Sequence, residues 1–200
     1  MTTSKRPAGR PMDAGIDSSI ISATQILLSE QGFDRFSVEG IAARAGVGKA
    51  AIYRRWSGKI PLVIAAIVDL AQVPPVPDAG SLREDLLECG MAYVQATHTQ
   101  QIMAGLMTAM THHPELRDAA REAIGEPFQA LFETVIDRAL NRGDASTGTD
   151  TLAAASVFPA LAFHRATVLG LTIDEAFVTR TVDAILMPLL TGSARQVPWK

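Results

Sequence analysis

Cysteine is nearly absent from this sequence: Cys89 is the only one in 200 residues. An intramolecular disulfide is therefore excluded, and so is a zinc site built from several cysteines. Aromatics are sparse at 6%, with two Trp and two Tyr. Long apolar runs are missing too. The stretch from Pro61 to Val68 is among the longest, far short of what a bilayer span requires. No apolar segment follows the basic residues of MTTSKRPAGRPMD, so no secretory signal is expected there. Alternating β-branched segments bounded by turn signals are also lacking, which argues against sheet.

What the chain does have is a helical pattern. It is 48% hydrophobic and 20% charged, enough apolar residue for a sizeable core and too much for general disorder. Apolar residues recur at helical spacing almost throughout, so the fold class is expected to be all-α, with about nine to ten helices. Charge is distributed unevenly. Residues 1–60 carry a net +4 and residues 61–200 a net −7, giving −3 in all. A basic front on an acidic body suggests that the front meets a polyanion.

Three regions follow from the pattern. Residues 1–13 read as a flexible basic arm, residues 14–60 as a compact helical unit, and residues 61–200 as a larger helical body. The first helix is expected over 17–31, with Gly32 in the left-handed position after it. Ser37 caps a second helix through Ala45, Gly46 and Val47 turn the chain, and a third helix covers 49–55. A fourth runs from about 58 to 71, with Pro61 at its third position, where no intrahelical donor is required. Val73-Pro74-Pro75-Val76-Pro77-Asp78 breaks the chain. Ser81-Leu82-Arg83-Glu84 is a capping box opening a fifth helix to about 98. Further helices are expected over 101–111, from Pro114 with an interruption at Gly125 and Pro127, over 150–169 and over 174–190. Pro159 and Pro188 lie inside the last two and predict a kink or an early end.

The informative stretch is FSVEGIAARAGVGKAAIYRRWSGK, residues 36–59. Val38, Ile41 and Ala42 give a short helix an apolar face, and Ala42 lets another helix cross closely. Gly46 sits where the chain must turn sharply. Val47 and Ile52 fill the space between the helices. The exposed positions in and just before the third helix, Gly48, Lys49, Ala50, Ala51, Tyr53, Arg54 and Arg55, are small, basic or aromatic. Such a face suits a helix entering a DNA major groove.

On these residues the chain resembles the TetR family of bacterial transcriptional regulators. The resemblance is carried by Gln31-Gly32-Phe33, Ser37-Val38, Ile41 to Val47, Lys49, Ile52-Tyr53, Trp56 and Lys59. Gly9-Arg10-Pro11 in the arm and Ile173 to Val178 near the end are also similar. The resemblance implies phosphate contacts by Tyr53 and Lys59, backbone contacts by Ser37 and Arg44, and base-edge contacts by Gly48, Lys49 and Ala50. Arg54 or Arg55 adds a phosphate or guanine contact. Ala51 departs from the hydroxyl residue frequent in the family, and Gly48 from its frequent Ser. Trp56 reads as a core aromatic.

The resemblance further implies that the body binds a small, largely apolar effector and forms a homodimer through its last two helices. It implies a cytoplasmic repressor on a palindromic double-stranded operator. Met91, Met103, Met107, Met110, Phe128 and Phe132 are candidate pocket walls. Tyr93, Gln95, His98 and His164 are candidate polar groups within it. Ala153, Ala154, Val157, Ala160, Leu161 and His164 mark one apolar stripe of the closing helices, and Phe177, Val178, Val182, Ile185, Leu186 and Leu189 the other. No cofactor, metal or membrane partner is indicated. A helical enzyme, or a ligand-binding protein whose helix-turn-helix is secondary, is the alternative. Its support is thin: Cys89 lies in no motif, His112 and His113 point to different faces, and P-loop, GxGxxG and GxSxG signatures are missing.

Overall fold

A computed structural model describes residues 14–71 and 74–192. The basic arm (1–13) lies outside them. Among the described residues every regular element is helical and there is no strand. The all-α expectation holds.

Helix α1 spans Ala14–Arg35 and breaks its helical geometry at Gly32, where φ is 72°. The left-handed glycine falls where the sequence places it, but one more helical turn follows before the chain leaves the helix. Helix α2 is Val38–Ala45, and its N-cap Ser37 accepts a hydrogen bond from the Gly40 amide at 3.1 Å. Gly46, at φ 68°, ends it, and the Val47 amide donates back to Ala42 O at 3.0 Å. Helix α3 is Lys49–Tyr53, shorter than expected by two residues. Helix α4 is Lys59–Asp69, with Pro61 at its third position.

The segment after Pro74 is held by side chains from the body. Arg138 donates to Pro77 O at 2.6 Å, and the Ala79 amide donates to Asp85 at 2.7 Å. Helix α5 is Leu82–Gln95 behind its Ser81 cap, and α6 is Thr97–His112. The two nearly touch end to end at Ala96, so α6 begins four residues earlier than expected.

Helix α7, Pro114–Ala120, and α8, Glu126–Arg142, flank a π-helical turn at Arg121–Gly125. Helix α9, Thr151–Phe163, runs into a π turn at His164–Val168. Helices α10, Glu175–Thr181, and α11, Met187–Leu190, flank a third, Val182–Leu186. Two of these widened turns sit just ahead of a proline, Pro127 and Pro188, where an ordinary turn would be crowded by the ring. Pro159 differs from expectation: α9 continues through it, and the irregular turn comes only at His164.

Two cores hold the molecule together. One gathers α1 to α4 with Ile102, Leu106 and Ala109 of α6 and Leu116 and Ala120 of α7. The other is built by α5, α8, α9, α10 and α11 around Phe132 and Phe158. Helices α1 and α6 meet closely because α6 carries Gly105 at the crossing. Burial of several large aliphatic side chains there, at about 1.5–3 kcal/mol each, makes the joint between front and body firm.

Candidate nucleic-acid interface and effector cavity

The α2–turn–α3 unit owes its shape to few residues. Ile41, Ala42 and Ile52 are buried at the crossing, and Gly46 supplies the left-handed turn. What remains outside is Gly48, Lys49, Ala50, Tyr53 and Arg54, all exposed. Tyr53 is 53% exposed, unusual for a large aromatic ring, whereas Trp56 packs partly buried against the first core. Five of the residues singled out in the sequence thus share one open face.

The cations around that face are mostly paired with acids. Lys49 Nζ lies 2.6 Å from Glu39 Oε1, and this bond lowers the Glu39 pKa and raises that of Lys49. Arg44 forms a two-pronged pair with Glu30 at 2.8 and 3.1 Å. Arg55 is largely buried. It pairs with Asp17 of α1 and donates to Ala51 O at 3.1 Å. Arg55 therefore ties α3 to α1, while its neighbour Arg54 has no partner among the described residues. Ser37 is engaged as the α2 cap.

Lys59 occupies a different niche. Its ammonium donates to Phe33 O and lies 4.2 and 4.3 Å from the ring centres of Phe33 and Phe36. Burial holds its pKa below the usual lysine range. The site fixes the side chain at the start of α4 and leaves two of its three N–H donors available. The acids Asp17, Glu30 and Glu39 were not anticipated. They lie far along the chain from their partners, and no local spacing signals the pairs.

Two pockets adjoin in the body. The smaller, about 100 Å³, lies between Tyr93, Met103, Ile124, Phe128, Pro159 and Phe163 and is predominantly apolar. Burial raises the Tyr93 pKa, and its ring meets Phe128 edge-on at 5.5 Å. The larger, about 520 Å³, opens under the front of the molecule between α1, α4, α5 and α6, and its wall includes Gln25, Asp69, Gln95 and His98.

Tyr93, Met103, Phe128, Gln95 and His98 are thus brought to these cavities, and the other named residues lie elsewhere. Phe132 is fully buried and stacked on Phe158 at 5.5 Å, filling the second core. Met110 packs on the first core, and Met107 is 40% exposed. Met91 lines a shallow groove beside Pro74 and Pro75. His164 is exposed and lines neither cavity. Helical spacing set these residues on apolar faces but not on which side of the core each face would land. Gln25 and Asp69 were missed. Gln25 is a polar residue on the apolar face between Ile21 and Leu28, which is a usable signal; Asp69 gave none.

On the closing helices, Ala154, Val178, Val182 and Leu186 are buried within the chain's own core. Ala153, Ala160, Ile185 and Leu189 face outward, with Leu152, which is 59% exposed. Among the described residues no His, Cys, Asp and Glu cluster could hold a metal ion. No described helix is long and apolar enough to cross a membrane.

Comparison with known proteins agrees with this architecture. Residues 20–66 match the family model described as bacterial regulatory proteins, tetR family, and residues 76–185 match the tetracyclin repressor-like C-terminal domain. A DNA-binding transcriptional repressor TetR of Mycobacteroides abscessus is 37% identical over 177 residues, covering 86% of this chain and 92% of that protein. An HTH-type transcriptional regulator of Mycobacterium bovis is 30% identical over 193 residues, covering 93% and 95%. In fold, the chain is similar to the regulator FadR of Bacillus subtilis solved with stearoyl-CoA, with TM-score 0.69, 17% identity and coverage of 88% and 98%.

Proposed function

This chain belongs to the TetR family of bacterial regulatory proteins, and on that premise we propose the mechanism by which it regulates. It is a DNA-binding transcriptional regulator. It acts as a dimeric repressor that covers a palindromic operator and leaves it when a small, largely apolar effector fills the body. The observation that carries this reading is the open face of Gly48, Lys49, Ala50, Tyr53 and Arg54 on a helix fixed by a tight turn. Small residues let the backbone approach the groove floor, and the cations meet phosphates and base edges. Tyr53 and Lys59 contact the DNA backbone, and Lys49 reads sequence.

A palindrome asks for two such helices one helical turn apart. The outward apolar residues of α9 to α11 support a four-helix dimer interface. Helix α4 is the lever between the units, since it packs on α1 and α7 and ends at the larger cavity. An effector that prefers the arrangement with wrongly spaced reading helices shifts the population off DNA. The working site is the cytoplasm, where operator and effector meet.

Fluorescence anisotropy with DNA flanking the protein's own coding region, repeated at rising salt, tests the reading. Tight, sequence-selective binding at two subunits per site is expected. Failure to bind any sequence, including pools selected from random DNA, would overturn it.

A further inference from the structure

The two cavities share a wall. Ala96, Thr99 and Phe128 line both. A polar mouth beneath the front and an apolar slot therefore lie side by side. The larger part lies within the range of ligand sites, and an apolar slot near 100 Å³ has room for a ring or a short alkyl group.

The charge on those walls has one sign. Among the described residues, Asp69 is the only carboxylate on either wall, and neither wall carries Lys or Arg. Gln25 Nε2 donates to Asp69 Oδ2 at 2.9 Å and to Ala66 O at 3.1 Å, which uses both of its N–H groups. Asp69 Oδ1 accepts no hydrogen bond from any described residue. Asp69 is exposed at the mouth, where a carboxylate with spare acceptor capacity favours a cation and repels an anion, less strongly as salt rises. The body as a whole, at −7 over residues 61–200, adds attraction of the same sign.

We propose that the effector is an amphipathic monocation, whose head takes the Asp69 carboxylate and whose apolar part enters the slot between Tyr93, Met103 and Phe128. This rests on the effector-released reading above and names the chemical class that reading leaves open. The same carboxylate fastens α4 to α1 through Gln25.

Three probes with one apolar part and different heads decide the matter: 4-phenylbutylamine, 4-phenylbutan-1-ol and 4-phenylbutyrate, titrated calorimetrically into the full chain. The amine is expected to bind at least about tenfold tighter than the alcohol, equivalent to about 1.4 kcal/mol, and the butyrate most weakly. Asp69→Asn keeps the side-chain shape. It is expected to erase the preference for the amine while leaving alcohol binding in place. Butyrate binding as well as the amine, an Asn variant that retains the preference, or no binding of any probe would each overturn the proposal. The charge series on the unmodified chain stands even if the variant misfolds. A chain that binds its operator but is released by none of the three probes keeps the repressor reading and loses this one.

Discussion

Gly105 of α6 lies so close to Leu28 of α1 that a Cβ built on it would stand 2.5 Å from the Leu28 carbonyl oxygen. Real Cβ atoms do not approach backbone so closely, and backbone on both sides leaves nothing flexible to yield. The contact is the point where the DNA-binding front is pressed against the body. Gly105→Ala must push the two helices apart, at a cost of roughly 1–3 kcal/mol. For a chain of this size each kcal/mol lowers Tm by about 2–4 °C. A thermal melt checks this, and an unchanged Tm would show that α1 and α6 part freely.

Arg54 and Arg55 are adjacent and differ in role. Arg54→Ala is expected to weaken binding to all DNA sequences and to reduce the log–log salt slope by about 1, without changing the melt. Arg55→Ala leaves Asp17 without its partner in a partly buried site, at a cost of about 1–3 kcal/mol. The two variants should separate in a paired anisotropy and unfolding experiment. Equal behaviour in both assays would refute the division of labour.

Glu39 restrains Lys49. At the DNA surface a free carboxylate is unfavourable, so Glu39→Gln should raise affinity for non-specific DNA and narrow the gap between operator and non-operator. Lys49→Ala should lose operator preference chiefly. Competition titrations with operator and scrambled duplexes read both. A Glu39→Gln protein with wild-type discrimination would mean that the pair seen here does not persist on DNA.

Lys59→Ala and Tyr53→Phe should weaken binding to every sequence, and Lys59→Ala should also flatten the salt slope. Lys59 is the more telling, because Phe33 and Phe36 hold its ammonium in place at the α4 start. Unchanged affinity in both variants would sink the phosphate assignment.

Cys89 is buried, and that burial pushes its thiol pKa up to about 12. At pH 8 only about one molecule in ten thousand then carries the thiolate. A thiol reagent should leave the native protein unmodified and titrate one equivalent in denaturant. The native state also holds this proton more tightly than the unfolded chain. The thiol's contribution to stability is therefore complete below the unfolded value near 9 and declines as pH rises from there towards 12. Partly buried Tyr93, whose pKa is also raised, acts in the same sense. Rapid native modification at pH 8 would contradict the burial.

Much of this was written in local sequence. Ser37 before an apolar helical face, Gly46 four residues after Ala42, and Gly32 after Gln31 each state a backbone requirement that neighbouring residues alone satisfy. The helix-turn-helix and its exposed reading face were therefore legible, as was the all-α class, because helical periodicity repeats within a few residues. Three things depended on contacts between distant segments. The ion pairs that occupy Lys49, Arg44 and Arg55 join residues 10 to 38 positions apart. The separation of Tyr93, Met103 and Phe128, at the cavity, from Phe132, in the core, depends on how α5, α6 and α8 rotate against one another. The carboxylate at the cavity mouth arises because α4 ends beside Gln25. Periodicity tells a helix which face to bury. Only packing decides whether that face meets another helix or an open space.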